Sequence, residues 1–243
     1  MTRWLVGRAR PTAAVRLYCF PHAGGSPGEY VRWSARLPTV EVWGVQAPGR
    51  GSRLIEPAFT GVRELAAALA DEVRFAAPFG FFGHSLGALV AYETALALRT
   101  AGRPLPGCLV VSACTAPRLL SRRVTADHTD NGEVAGLAAT LPAAVRADPE
   151  LLAPTLATLC ADLNAFATYR PASAEPLPCP LIALGGVDDE ITEAELSAWR
   201  DCTSGPFRLR LLPGGHFYLR EERDALLDII IDDVIGAIGV DGA

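Results

Sequence analysis

The sequence contains no lysine: each of its 22 basic side chains is arginine. Schiff-base catalysis by a lysine amine is thereby excluded, as is a Walker-type phosphate loop, which needs lysine to reach the phosphates. The 27 acidic residues outnumber the basic ones, giving a net charge of -5, and no basic stripe is present. Nucleic acid is therefore not an expected partner. No C-x-x-C pair occurs among the six cysteines, Cys19, Cys108, Cys114, Cys160, Cys179 and Cys202. Scattered among mostly apolar neighbours, they read as reduced core thiols, with no metal site expected. Long hydrophobic runs are also missing: nothing of signal-peptide length follows the N-terminal arginines, and no run is long enough to span a bilayer. A cytoplasmic location without membrane association is the expectation.

What is present is core-forming material. Half of the 243 residues are hydrophobic, enough to fold residues 1–243 as one domain without disulfides or metal. Short apolar runs alternate with helical patterns, the signature of a mostly parallel sheet with helices on both faces. Strands are expected at 14–20, 40–46, 79–83, 107–113, 179–185 and 207–212, and helices at 62–75, 88–101 and 223–238. One interval, approximately 115–172, breaks the alternation and reads as a helical insertion. There Leu152, Leu156, Leu159, Leu163 and Phe166 fall on one helical stripe, after the proline breaks at Pro142, Pro149 and Pro154. That stripe suits either a helix packed on the sheet or a mobile lid over a cleft.

The most informative segment is Gly83-His84-Ser85-Leu86-Gly87, a G-x-S-x-G sequence between a strand pattern and a helix pattern. In a nucleophile elbow the serine occupies a strained strand-to-helix turn whose close neighbours must be small, as Gly83 and Gly87 are. A serine hydroxyl needs a base to take its proton, and four histidines are available. His84 adjoins Ser85 on the turn and its ring should diverge from the hydroxyl. His128, in the polar start of the insertion, reads as solvated, and His22 suits a structural or oxyanion-loop role. His216 follows the last strand through Pro213-Gly214-Gly215, which brings it to the carboxyl edge where Ser85 emerges, and it is the expected base. The acid that fixes its tautomer is sought in Gly185-Gly186-Val187-Asp188-Asp189-Glu190. Asp188, the first acid beyond the strand, is the choice, with Asp189 as runner-up. The order serine, acid, histidine is that of an α/β-hydrolase. The small residues of Pro21-His22-Ala23-Gly24-Gly25 allow backbone N–H groups to approach an oxyanion, so Ala23 and Leu86 are assigned to the hole.

Together, Pro21 to Gly25, Pro48-Gly49-Arg50-Gly51, Gly83 to Gly87, Gly185 to Asp188 and Pro213 to Phe217 resemble the type II thioesterases of polyketide and nonribosomal peptide assembly lines. The resemblance spans nearly the whole chain. It implies an α/β-hydrolase fold with a helical lid, and hydrolysis of acyl groups from the phosphopantetheine arm of acyl or peptidyl carrier proteins as an editing task. It further implies Ser85 as nucleophile, Asp188 as acid and His216 as base, with His22, Gly24 and Phe217 near the substrate. No cofactor is implied, since the substrate carries the phosphopantetheine, and a monomer is expected. Two departures stand out: Leu86 replaces a frequent methionine, harmless because only its amide is required, and Asp189 stands where proline commonly follows the acid. The competing readings are a hydrolase of small oxygen esters or lipids with the same triad, and a non-catalytic hydrolase-like binding module. Arg118, Arg122 and Arg123 read either as a docking patch for an acidic carrier surface or as solvated arginines.

Overall fold

In the computed structural model, which describes residues 3–123, 131–139, 141 and 143–238, the six expected apolar runs become parallel strands. They are β2 (Val15–Phe20), β3 (Val40–Val45), β4 (Phe79–His84), β5 (Cys108–Ser112), β6 (Leu181–Gly186) and β7 (Phe207–Leu212). A short β1 (Leu5–Gly7), which the sequence reading does not contain, pairs antiparallel with β3 at the edge. The sheet order is β1-β3-β2-β4-β5-β6-β7. Every residue of β4 and β5 is buried, as expected of strands covered on both faces, which read as continuous rather than alternating apolar runs. Neighbouring side chains in a strand point to opposite faces. Phe81 and Leu109 accordingly join the core on one side, while Phe82 and Val110 join Trp33, Tyr30 and Leu226 on the other.

Helices α1 (Gly28–Val31), α2 (Val62–Glu72) and α3 (Leu86–Thr100) connect the first four strands and follow β4. In α2 the buried positions Val62, Leu65, Ala66 and Leu69 repeat at helical spacing against the sheet. Between β5 and β6 lie α4 (Pro117–Arg123), α5 (Asn131–Ala139), α6 (Ala143–Ala147) and α7 (Pro149–Thr168), the expected insertion. Helix α8 (Glu193–Ser197) follows β6 and opens on a capping box between Thr192 and Glu195. After β7 come α9 (Tyr218–Glu221) and α10 (Arg223–Ile229), the latter continued by a π-helical stretch, Ile230–Ile235.

Helix α7 departs from expectation twice. Pro154 does not break it: the residue sits in the second turn, where its missing N–H leaves only the exposed Glu150 carbonyl to solvent. The helix is also long and apolar enough to cross a membrane by length and composition, whereas no such run is expected from the sequence. Its buried Thr158 and Asp162 are both hydrogen-bonded to loops of the sheet, which makes it a covering helix over the strand ends.

The sheet order fixes where a ligand can bind. The chain runs outward from β2 to β3, then returns across β2 to β4, so the order reverses between β2 and β4. In open α/β sheets the crevice at such a reversal, beyond the carboxyl ends of the strands, is where ligands bind. The loop after β2 carries His22 to Gly25, and the turn after β4 carries Ser85.

Candidate active site

Ser85 is the junction between β4 and α3, held at φ 55° and ψ -123°. A side-chain-bearing residue at positive φ stores strain and persists only where its surroundings enforce it. The surroundings here are tight. A Cβ on Gly83 would collide with the Gly87 carbonyl, and one on Gly87 would collide with the Phe20 carbonyl at the end of β2. The Ser85 amide donates to the Ser112 carbonyl of β5 at 2.8 Å, fixing the turn from the opposite side.

The acid and the base meet because the loops beyond β6 and β7 are joined. Val187 N–H donates to Leu212 O at 2.9 Å and Asp188 N–H to Gly214 O at 3.0 Å. Gly186 lies so near that a Cβ would strike the Gly214 carbonyl. Asp189 N–H then closes a turn onto Gly186 O at 3.3 Å, leaving Val187 and Asp188 at its outer corners, both exposed. Asp188 borders the site cavity from this corner, beside Asp189 and Glu190. Asp189 Oδ2 stands 3.0 Å from His216 Nδ1, with the carboxylate side chain only 4% exposed. This corrects the expectation for Asp188: the acid in contact with His216 is Asp189, because Asp188 sits at the exposed corner of the turn, bordering the cavity, while the residue that closes the turn carries the bond to the imidazole.

Ser85, His216, Asp189, Ala23 and Leu86 border one cavity of about 460 Å³. Leu137 of α5 and Leu163 and Phe166 of α7 contribute apolar walls. The cavity thus brings together a serine hydroxyl and a histidine whose Nδ1 is bonded to a carboxylate, the parts that serine nucleophile chemistry draws on.

Comparisons with known proteins identify the family. Residues 15–234 match the thioesterase domain family. The chain belongs to the thioesterase family. It is 39% identical over 241 residues to thioesterase PikA5 of Streptomyces venezuelae, covering 96% of this chain and 85% of that protein. Among solved structures it is similar to the type II thioesterase BorB of the borrelidin biosynthetic cluster, with 38% identity, a TM-score of 0.79, and 94% and 96% of the two chains covered. RedJ, a thioesterase of the prodiginine pathway in Streptomyces coelicolor, is 39% identical with a TM-score of 0.79, over 92% and 89% of the two chains. The thioesterase is thus an α/β-hydrolase-fold enzyme acting on thioesters.

Two further histidines of the thioesterase pack behind the base. The His84 ring is fully buried, 5.2 Å from the His216 ring, and its Nδ1 lies 2.9 Å from Ser112 Oγ. Ser112 in turn lies 2.7 Å from the Tyr218 hydroxyl. The His84 ring is thus tied to β5 through Ser112. Burial holds its pKa well below the ordinary histidine value, so the ring is uncharged beside His216. His22 borders the cavity against Phe217, ring to ring at 5.0 Å, and burial pushes its pKa down to about 4. His128 lies outside the described residues.

Gly24 stands at φ +67°, a backbone conformation that glycine adopts without strain, with Leu159 packed over its open face. Arg118 makes an exposed ion pair with Asp201 at 2.7 Å, and the side chains of Arg122 and Arg123 fall outside the described residues. All six cysteines are free, but Cys160 is exposed on the outer side of α7 rather than in the core. The sequence marks no role for Arg50 or Asp162, which form a largely buried ion pair at 2.8 Å beside the Ala23 loop. The Pro48-Gly49-Arg50-Gly51 block was the available signal for Arg50. Nothing local marks Asp162, which lies 112 residues away.

Proposed function

We propose that this thioesterase hydrolyses acyl groups from the phosphopantetheine arm of acyl or peptidyl carrier proteins, clearing misprimed or stalled units from a polyketide or nonribosomal peptide assembly line. The observation that carries this reading is a strained serine sharing a cavity with a histidine that is bonded to a buried aspartate. His216 Nε2 takes the proton of Ser85, and Oγ attacks the thioester carbonyl carbon. The amides of Ala23 and Leu86 hold the tetrahedral oxyanion. As the C–S bond breaks, the imidazolium returns its proton to the departing sulfur, leaving an acyl-serine. A water deprotonated by His216 then releases the free acid and restores the serine. Asp189 holds the imidazole in the required tautomer and stabilises its charged form.

The insertion acts as a lid, roofing the acyl chamber with Leu137, Leu163 and Phe166. A neighbouring cleft of about 600 Å³ shares His22, Ala23 and Leu137 with that chamber and bears Arg32, Arg220 and Arg223. Its chemistry suits the pantetheine arm and its phosphodiester. Six free thiols fit a reducing cytoplasm as the site of action.

The test is turnover of an acylated carrier protein by wild type and Ser85→Ala. Burst kinetics in the former and loss of hydrolysis in the latter are expected, and retained activity in the variant overturns the assignment. Comparing kcat/KM on acyl-pantetheine and on a matched alkyl ester decides the acyl donor, with preference for the alkyl ester counting against a carrier substrate.

A further inference from the structure

The Ala23 loop is held by a polar contact that comes from the insertion. Asp162, on the inner face of α7 and 6% exposed at its side chain, uses both carboxylate oxygens. Oδ2 accepts from the Gly24 amide at 2.8 Å, and Oδ1 accepts from Arg50 Nη2 at 2.8 Å. Arg50, after β3, also donates from Nη1 to the Gly25 carbonyl at 3.4 Å. One turn earlier on α7, Thr158 donates to the Gly49 carbonyl at 2.6 Å, and Leu159 covers Gly24. From the other side, Gly25 N–H closes a turn onto His22 O at 2.8 Å. Ala23 therefore sits inside a turn whose downstream peptide is fixed by a carboxylate of the lid.

Burying a charged pair is a poor way to gain stability, because desolvation offsets most of the attraction. Its worth here is positional. A backbone donor in an oxyanion hole acts only when pre-aligned, and a displacement of about 1 Å can cost about 10²-fold in rate. We propose that Asp162 and Arg50 are positioning residues that set the Ala23 amide, so that docking of α7 and completion of the oxyanion hole are a single event. The proposal rests on the reading of Ala23 as an oxyanion donor.

Asp162→Ala and Asp162→Asn are compared with wild type at a temperature where circular dichroism shows each fully folded. The readouts are kcat and KM on an acyl-pantetheine, and Ki for an alkyl trifluoromethyl ketone, whose adduct with Ser85 places an oxyanion in the hole. In Asp162→Ala, kcat is expected to fall roughly 10- to 100-fold with KM within about threefold, and Ki to weaken by the same factor as kcat/KM. Asparagine keeps an acceptor for the Gly24 amide while leaving Arg50 unpaired, so Asp162→Asn should recover most of the lost kcat although its melting temperature falls. A purely structural role would leave kcat and Ki of folded protein untouched. Wild-type kcat and Ki in folded Asp162→Ala overturn the proposal. Should the alanine variant fail to fold, Asp162→Ser, whose hydroxyl is too short to reach the Gly24 amide, takes its place: a roughly tenfold or greater loss in both readouts supports the clamp, and wild-type kcat and Ki overturn it. Ser85→Ala, run alongside, separates the two levels, since its activity would sink the catalytic reading itself.

Discussion

Replacing each of the two adjacent aspartates by asparagine tests the acid assignment most directly. In Asp189→Asn the side chain keeps its size, but the partner of His216 Nδ1 loses its charge. Two losses follow. An amide N–H turned toward Nδ1 moves the imidazole proton to Nε2, where it blocks acceptance of the serine proton. The imidazolium formed during attack also loses its counter-charge. With charge centres about 4 Å apart and an effective dielectric near 20, that attraction is worth about 4 kcal/mol, or roughly 10³-fold in rate. The two losses together place the expected fall in kcat at about 10³- to 10⁴-fold, in the range that triad aspartates show. Asp188 sits exposed at a turn corner and contributes its backbone N–H to Gly214, so Asp188→Asn should leave kcat within about twofold. The assay is single-turnover hydrolysis of a chromogenic acyl thioester, with stability followed by urea unfolding. Equal losses in the two variants, or a larger one in Asp188→Asn, would refute the argument from turn geometry.

Two other outcomes are expected. Since His22 has an ordinary pKa of 6.5 lowered to about 4 by burial, protonation favours the unfolded chain. Its contribution is fully present above pH 6.5, declines through the window from 6.5 to 4, and costs about 3 kcal/mol once complete. His84 adds in the same direction, whereas buried Glu93, whose pKa burial raises, works against the decline. Urea unfolding at pH 7 and pH 5 should therefore show a smaller pH-dependent loss in His22→Gln than in wild type, and identical slopes would contradict the buried neutral ring. Gly87→Ala would drive a methyl into the Phe20 and Pro21 carbonyls, backbone that cannot yield. A destabilisation above about 3 kcal/mol together with loss of hydrolysis is expected, and a folded variant with a wild-type urea midpoint would show that the elbow tolerates bulk.

The sequence was most readable where local pattern and packing agree. Strands β4 and β5 are continuous apolar runs because helices cover both faces, and the glycines flanking Ser85 announce a turn with no room for side chains. Strand β1 escaped notice because three half-buried residues at an antiparallel edge carry no periodic signal. Helix α7 ran through Pro154 because the forfeited bond lies near its solvated start. The choice between Asp188 and Asp189 depended on a turn whose closure requires the Gly214 loop, a partner 26 residues downstream. Arg50 and Asp162 meet only after the insertion folds back over the sheet, so no window of sequence could have paired them.

Helix α7 combines two tasks on adjacent faces. Asp162 grips the loop beneath while its immediate neighbour Leu163 faces the acyl chamber. Anyone redesigning this enzyme for a bulkier or longer acyl group will want to carve space at Leu163 or Phe166, and every such change risks rotating the rigid rod that carries Asp162. Substrate range and turnover are geared to the same shaft. Variants selected for a wider chamber should therefore accumulate compensating changes around Thr158 and Gly49 before they regain speed.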